Sequence, residues 1–143
     1  MTEENIQPSL PEGCRLIDIP SVVDGRGGLT FAEARRVIPF DIRRVFWIYD
    51  VPDGAVRGGH AHWECSEVVV PVAGGLTVVL DDGRTRSQVR MDSPERGVLI
   101  PAGVWCELRD FLPGTVLVVM ASHAYNADGY VHAYAQYIKE RRR

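Results

Sequence analysis

Two histidines separated by a single residue are the side chains in this sequence best suited to proton transfer. His60 and His62 lie in the glycine-rich segment from Gly54 to Gly74. On an extended strand, residues two apart point to the same face, so both imidazoles would face one way. A single strand histidine is usually structural. Two on one face indicate a site for acid–base chemistry, because imidazole accepts and returns protons near neutral pH.

Glu67 is a third residue that could belong to this site. It follows four residues typical of a turn and opens the β-branched run Val68 to Val70, which predicts a strand. A hairpin between the two strands would bring Glu67 beside His60 and His62. Imidazole, carboxylate and thiol groups all bind metals. These residues, with Cys106 downstream, could therefore form a metal site or keep the same geometry without a metal.

Arg57 precedes the histidines at an odd spacing. Simple alternation would direct its side chain to the opposite face of the strand. Gly58 and Gly59 stand between Arg57 and His60, and a β-bulge at this step would turn the arginine towards the histidines. The sequence therefore leaves two positions open for Arg57, one in the site and one outside it.

The wider pattern predicts an all-β fold that would position these residues. About ten short strand segments separated by turn residues are typical of a sandwich or barrel. The aromatic segment Arg43 to Val51 predicts a central strand. Gly74-Gly75 and Asp82-Gly83 predict hairpin turns on either side of Leu76 to Asp81. The tail from Gly129 to Arg143 is the one segment that could be helical.

Length and composition favour one globular domain spanning residues 1–143. Residues 1–13 are polar with two prolines, which predicts a loose N-terminal arm. The hydrophobic content of 45% and the charged content of 24% are ordinary for a globular protein. The net charge of −3 gives no general attraction to nucleic acid or to an anionic membrane, so we expect neither as a partner.

The cysteines and the N-terminal sequence predict a cytoplasmic protein. The three cysteines are odd in number and form no CxxC pair, which favours a reducing compartment over a disulfide framework. The first residues contain no apolar core of the kind found in signal peptides, and no apolar run approaches transmembrane length.

Glycine, histidine and glutamate recur around the site at fixed spacings. The positions concerned are Gly54, His60, His62, Glu67 and Gly74. This spacing resembles the first motif of the cupin barrels, and the segment Gly97 to Asp110 resembles the second, except that Cys106 replaces its histidine. The resemblance implies a cupin jelly-roll barrel with a short C-terminal helical tail. The missing histidine weakens the usual ligand set, so we expect no metal and no other cofactor.

Longer segments carry a more specific resemblance. They are DGRGGLTF, IPFDIRRVFWIYD, RGGHAH, LDDG, GVLIPAGVW and LVVMAS, followed by a tyrosine-rich tail. From Leu16 to Tyr137 the chain resembles the sugar 3,4-ketoisomerases, cupin enzymes that act on dTDP-4-keto-6-deoxyglucose. The resemblance implies an isomerase that moves the keto group of a dTDP-linked 4-keto-6-deoxyhexose from C4 to C3 through an enediolate. No redox cofactor is needed, because oxidation at one carbon is matched by reduction at its neighbour.

The same resemblance assigns roles to individual residues. His60 and His62 match the histidines that carry the proton transfers, although the sequence does not distinguish which is the base. Arg57 matches an arginine whose charge would stabilise the enediolate. The residues expected to bind substrate are Arg26, Arg44, Trp47, Glu67 and Trp105.

Several of these assignments have a structural alternative. Arginine offers paired donors to a diphosphate, but Arg26 and Arg44 could equally form surface ion pairs. Trp47 and Trp105 could line the sugar or base pocket, whereas a lone tryptophan in a strand more often packs in the core. We expect His123 and His132, outside the motif, to be structural or surface residues.

The resemblance also implies a homodimer, which in this family often forms by exchange of N-terminal strands. Three other functions remain open from the sequence. A related cupin nucleotide-sugar epimerase would exchange protons next to the ketone but leave the carbonyl at C4. The other two are a non-catalytic sugar-binding cupin and a metal-dependent dioxygenase.

Overall fold

The computed structural model of the protein describes residues 9–141. Within that range the chain forms twelve strands, one 3-10 turn and one helix. The strands are β1 (Arg15–Asp18), β2 (Ser21–Asp24), β3 (Gly27–Thr30), β4 (Arg44–Ile48), β5 (Arg57–His62), β6 (Glu67–Ala73), β7 (Leu76–Asp81), β8 (Arg86–Met91), β9 (Arg96–Ile100), β10 (Trp105–Arg109), β11 (Val116–Ala121) and β12 (Tyr130–Val131). The 3-10 turn is Ala127–Gly129, and the helix, α1, is Tyr134–Arg141.

Two five-stranded sheets pack face to face. The first has the strand order β1-β9-β6-β11-β4, and the second has the order β12-β5-β10-β7-β8. The core between them includes Val69 and Val119 from the first sheet and Val78 and Leu80 from the second. The predicted all-β cupin jelly roll is confirmed.

The valine run of β6 lies at the centre of the first sheet and is buried on both faces. Val69 packs in the core between the sheets, whereas Val68 and Val70 pack on the outer face beneath Ile38 and Phe40. A continuous apolar run therefore fits a strand covered on both sides. Alternation turns Glu67, the first residue of β6, to the same side as Val69.

The aromatic segment that we predicted as a central strand forms an edge strand instead. β4 pairs only with β11 among residues 9–141. Arg44, Phe46 and Ile48 alternate inward and are partly buried, whereas Val45 and Trp47 are exposed on the outer face. The prediction was wrong because aromatic and β-branched content does not specify where in a sheet a strand lies.

Of the two predicted hairpin turns, only Asp82-Gly83 joins neighbouring strands. It connects β7 to β8, and the Asp82 carboxylate accepts hydrogen bonds from the backbone N–H groups of Arg84 and Thr85. Gly74-Gly75 instead carries the chain from β6 in the first sheet to β7 in the second. Gly74 has a φ of +73°, and a Cβ there would overlap Thr115, so this crossing requires glycine.

A hairpin of β2 and β3 forms a separate two-stranded sheet. At its turn the Asp24 carboxylate accepts a hydrogen bond from the backbone N–H of Arg26. All residues of both strands are exposed, including Val22, Val23 and Leu29. The hairpin therefore presents apolar side chains outside both larger sheets.

Both ends of the described chain pack on the sheets. Residues 1–8 of the predicted loose arm lie outside the described residues, but Leu10 packs against the core and Pro11 is fully buried. The predicted helical tail is confirmed for Tyr134–Arg141. There the Tyr137 hydroxyl lies 3.0 Å from the carbonyl oxygen of Asp81 and 2.7 Å from that of Gly103. In residues 9–141 no helix has the length and apolar character needed to cross a membrane.

Candidate active site

A β-bulge in β5 sets the direction of the site residues. His60 lies opposite Cys106 of β10, but Gly58 lies opposite the next residue, Glu107, so Gly59 is an extra residue in β5. Gly58 and Gly59 have φ angles of +74° and +68°, which glycine adopts without strain. The predicted bulge is confirmed, and Arg57 lines the same cavity as His60.

This cavity has a volume of about 410 Å³ and lies inside the barrel between the two sheets. Its apolar wall comes from inward positions of both sheets, namely Phe46, Ile48, Val69, Leu108 and Val119. Its polar lining comprises Arg44, Arg57, His60, Glu67, Cys106, Tyr125 and Tyr130. Polar groups grouped in an apolar cavity are typical of a small-molecule site.

The two predicted histidines lie side by side, with His60 lining this cavity and His62 lining a neighbouring cavity of about 340 Å³. Their ring centroids are 4.8 Å apart with the rings nearly perpendicular. His62 Nε2 lies 3.5 Å from Oε1 of Glu67, and both side chains are buried. β5 and β6 belong to different sheets, so Glu67 reaches His62 across the barrel interior. The predicted proximity is correct, but the predicted hairpin between these strands is not.

The environment of His60 keeps its imidazole neutral. Burial, followed by the nearby charge that His62 would carry when protonated, lowers the pKa of His60 from 6.5 to about 4. Near neutral pH its ring therefore carries a free lone pair. The carboxylate of Glu67 lies beside His62, where it can stabilise an imidazolium by Coulomb attraction.

Arg44 lies inside the barrel beside this pair. Its Nη2 is 4.0 Å from Oε2 of Glu67 and donates a hydrogen bond to the Tyr130 hydroxyl at 3.3 Å. The guanidinium carbon also lies over the rings of Phe46 and Tyr125, at 5.1 and 5.5 Å from their centroids. Arg44 is therefore a lumen residue and does not form the surface ion pair that was its structural alternative.

Two buried polar atoms of the site have no hydrogen-bond partner within residues 9–141. They are Nε2 of His62 and Nε of Arg44. Buried polar atoms in folded proteins are nearly always paired with protein or water, so unpaired atoms beside a cavity are suited to contact a ligand.

Sequence reasoning missed Tyr130 and the residues next to it. β12 pairs with β5 so that Tyr130 lies opposite His62, and its ring centroid is 4.0 Å from that of His62 and 5.1 Å from that of His60. His132 is exposed, as predicted for a surface residue, but it stacks on Tyr130 and lies 6.0 Å from His60. The tyrosine-rich tail in the family resemblance was the only signal for this element.

Three predicted substrate-binding residues lie away from the cavity in the single chain. Trp105 is only 4% exposed on the far side of β10, where it packs against Tyr134 and Tyr137 of α1. This position matches the core packing that was its alternative interpretation, because alternation along β10 directs Cys106 and Leu108 inward. Trp47 is 61% exposed on the outer face of β4, so it lines neither this pocket nor the core.

Arg26 is the third of these residues. It lies at the turn of the β2–β3 hairpin, with its side chain 91% exposed and paired with Asp24 at 2.8 Å. The contact matches the surface ion pair that was its alternative interpretation. Within one chain it does not line the cavity of His60.

The donor set of the site could hold a metal ion. The ligand atoms of His60, His62 and Glu67 all lie within 4.8 Å of one another, and two imidazoles with a carboxylate suit a divalent transition metal. Burial raises the pKa of the Cys106 thiol well above its usual range, which disfavours the thiolate that would bind a metal. That the protein works without a metal stays a prediction.

Comparison with known proteins places these residues in a family context. The family model described as FdtA: WxcM-like, C-terminal matches residues 12–142. TDP-4-oxo-6-deoxy-alpha-D-glucose-3,4-oxoisomerase from Aneurinibacillus thermoaerophilus is 35% identical over 125 residues, which cover 87% of this chain and 90% of that protein.

Two solved structures extend the comparison. A variant of the 3,4-ketoisomerase QdtA from Thermoanaerobacterium thermosaccharolyticum, in complex with TDP-4-keto-6-deoxyglucose, superposes with a TM-score of 0.90. It is 32% identical, and the match covers 93% of this chain and 96% of that one. The rmlC epimerase of Mycobacterium tuberculosis has a TM-score of 0.73 at 19% identity over 86% of this chain and 70% of that one, which is a likeness of fold alone.

Proposed function

The chain belongs to the FdtA family as a sugar-nucleotide 3,4-ketoisomerase, and from this we propose that it converts a TDP-linked 4-keto-6-deoxyhexose through acid–base chemistry at His60 and His62. The observation that carries the proposal is the close placement of the two imidazoles, whose ring centroids are 4.8 Å apart, with His60 lining the 410 Å³ cavity. The named relatives support the substrate class, since one bears the substrate in its name and another was solved with it.

The surroundings of the two histidines support different roles in the reaction. His62 lies beside the Glu67 carboxylate, which stabilises the protonated ring, so we assign removal of the C3 proton to His62. His60 stays neutral and lies 4.8 Å away, where its free nitrogen can accept the proton held by His62 while its N–H passes a proton on to C4. Both steps pass through an enediolate with negative charge on oxygen.

The arginines of the cavity support stabilisation of that enediolate. Arg44 lies in the lumen within 4.0 Å of Glu67, and Arg57 lines the cavity through the bulge. A positive charge fixed close to a developing oxyanion lowers the barrier to its formation. Glu67 positions His62 and Arg44, which is a more specific role than the general substrate contact expected from the sequence.

Product NMR of the purified protein with TDP-4-keto-6-deoxyglucose in D₂O tests this function. We expect the ¹³C carbonyl resonance to move from C4 to C3 and deuterium to appear at the carbon that receives the proton. An epimerase would exchange protons while the carbonyl stayed at C4, and a sugar-binding protein would change neither signal. Either result would contradict the proposal.

We also propose that the protein is a homodimer assembled through the outer face of the first sheet. Trp47 is exposed on this face and lies opposite Val118 of β11, which lies opposite the buried Val70 of β6. Next to them a groove of about 700 Å³ is lined by Val72 and by Val23 of the β2–β3 hairpin. A second copy would cover this apolar surface.

The same assembly gives Arg26 a route to substrate. The β2–β3 hairpin stands apart from both larger sheets and carries Arg26 at its turn. If the hairpin packs on the second copy, Arg26 lies closer to that copy than to the cavity of its own chain. Substrate binding by Arg26 therefore depends on the dimer.

A further inference from the structure

We propose that the hydroxyl of Tyr130, held by Arg44, is a catalytic group that passes a proton between the two oxygens of the enediolate. This inference rests on the proposed isomerase function and adds a step that the two histidines do not account for. Moving a ketone between neighbouring carbons requires one proton to leave C3, one to arrive at C4, and one to pass from the C3 oxygen to the C4 oxygen.

The oxygen step balances without any other reactant. After His62 takes the C3 proton, the electron pair of the C3–H bond forms the C3–C4 double bond and leaves negative charge on O4. Tyr130 gives its proton to O4 and takes the proton from O3, so the phenol is regenerated. When C4 then receives the proton that His62 holds, the electron pair of the C3–C4 double bond forms the C4–H bond and a lone pair of O3 forms the C3 carbonyl, so His62 returns to its neutral form. Substrate and product remain isomers, and no electrons enter or leave.

The position of Tyr130 fits this role. Its ring lies against both histidines, at 4.0 Å from His62 and 5.1 Å from His60 between ring centroids. It lines the cavity that His60 lines and also a neighbouring cavity of about 340 Å³ that His62 lines. The hydroxyl is therefore carried by a ring that contacts both proton-transfer groups.

Arg44 prepares the Tyr130 hydroxyl for proton transfer. Its Nη2 donates to the phenol oxygen at 3.3 Å, so the oxygen acts as acceptor in that contact and its own hydrogen is free to be donated elsewhere. The guanidinium charge also stabilises the partial negative charge on the phenol oxygen while the proton is passing. Arg44 is thus a positioning residue for Tyr130.

Other proton donors of the cavity fit the oxygen step less well. Tyr125 is 69% exposed, whereas the Tyr130 hydroxyl accepts a hydrogen bond from Arg44. Glu67 faces His62 and Arg44.

The test compares Tyr130→Phe with Tyr134→Phe in D₂O. Tyr130→Phe keeps the ring that packs on both histidines and removes only the hydroxyl. We expect kcat for the 3-keto product to fall on the order of 100-fold, with little change in KM. Loss of the C3 hydrogen from recovered substrate should continue, so exchange events per product formed should rise. Tyr134→Phe, whose hydroxyl bonds Asp81 at 2.6 Å outside the cavity, should keep the wild-type ratio.

Three outcomes are distinguishable. If the wild type makes no 3-keto product, the proposed function itself fails. If Tyr130→Phe makes product within about threefold of the wild-type rate, the hydroxyl is not needed. If C3 exchange and product formation fall by the same factor, Tyr130 acts on the carbon step or on the fold. Either of the last two results overturns the inference while leaving the isomerase function in place.

Discussion

The two site histidines share a strand and a face but differ in what surrounds them. His60 is partly buried beside His62 and Tyr130 with its charged form disfavoured, whereas His62 lies beside a carboxylate. Two groups of the same type thus lie in different electrostatic surroundings. This difference supports assigning unlike roles to residues that look equivalent in the sequence.

The lowered pKa of His60 predicts a titration that NMR can follow. We expect its ring signals to stay constant from pH 7.5 to pH 5.5 and to move only as the pH approaches about 4. An unperturbed histidine changes at about pH 6.5. Because the unfolded chain takes up this proton first, stability from neutral His60 is present above about pH 6.5 and is lost as the pH falls towards 4. A midpoint at or above pH 6 would contradict the assigned environment.

The bulged strand β5 is the element that holds the site in place. Gly58 and Gly59 change the alternation so that Arg57 and His60 line one cavity, while Ala61 packs on the opposite face with Trp105 and Tyr137. The backbone carbonyl of His62 accepts a hydrogen bond from Gly103 at 2.6 Å, which fixes the end of the strand. The strand is therefore held on both faces and at its end.

Alanine substitutions at the two bulge glycines separate backbone strain from steric conflict. Both residues have positive φ, so each alanine should cost about 1–2 kcal/mol of unfolding free energy. A Cβ at Gly58 would also lie 3.1 Å from the Cys106 carbonyl oxygen, whereas one at Gly59 meets nothing within 4 Å. Denaturant unfolding should show Gly58→Ala to be less stable than Gly59→Ala by at least about 1 kcal/mol. Equal losses would mean that the close approach to β10 does not constrain the bulge.

The local sequence pattern was enough to predict the conformation of β5, but it did not predict which distant segments contact this strand. The alternation of His60 and His62 and the Gly58-Gly59 bulge depend on neighbouring residues, and both predictions are confirmed. Tyr130 reaches His62 through a pairing between distant parts of the chain, which spacing along the sequence does not encode. Whether Trp105 or Cys106 faces the lumen depends on how β10 pairs with its neighbouring strands, and that register depends on the whole sheet.

At the scale of the whole molecule, the apolar residues are divided between an interior and an outer face. The lumen between the sheets contains the site, while the outer face of the first sheet leaves Val45, Trp47 and Val72 exposed. The edge position of β4 could not be predicted from its aromatic content, because a strand at a subunit interface and a central strand have similar compositions. The exposed apolar residues of this outer face are the reason for proposing that a second copy packs against it.

The proposed homodimer predicts that one surface variant will have the mass of a single chain. Wild-type protein should elute in light-scattering chromatography with twice the mass of one chain. Trp47→Asp should shift it to the monomer, because a buried unpaired charge is costly in an apolar interface. Leu112→Asp is a matched control, since Leu112 is an exposed apolar residue in the loop between β10 and β11. A monomeric wild type, or equal effects of both variants, would argue against this interface.

The most direct measurement follows the C3 hydrogen and the carbonyl position by NMR in D₂O for the wild type, His60→Asn and His62→Asn. The wild type should form the 3-keto sugar and lose its C3 hydrogen. His62→Asn should lose both processes by at least about 100-fold, and His60→Asn should slow product formation while the fold, checked by circular dichroism, is kept. Wild-type rates in both variants would show that the proton transfers take place without these two imidazoles.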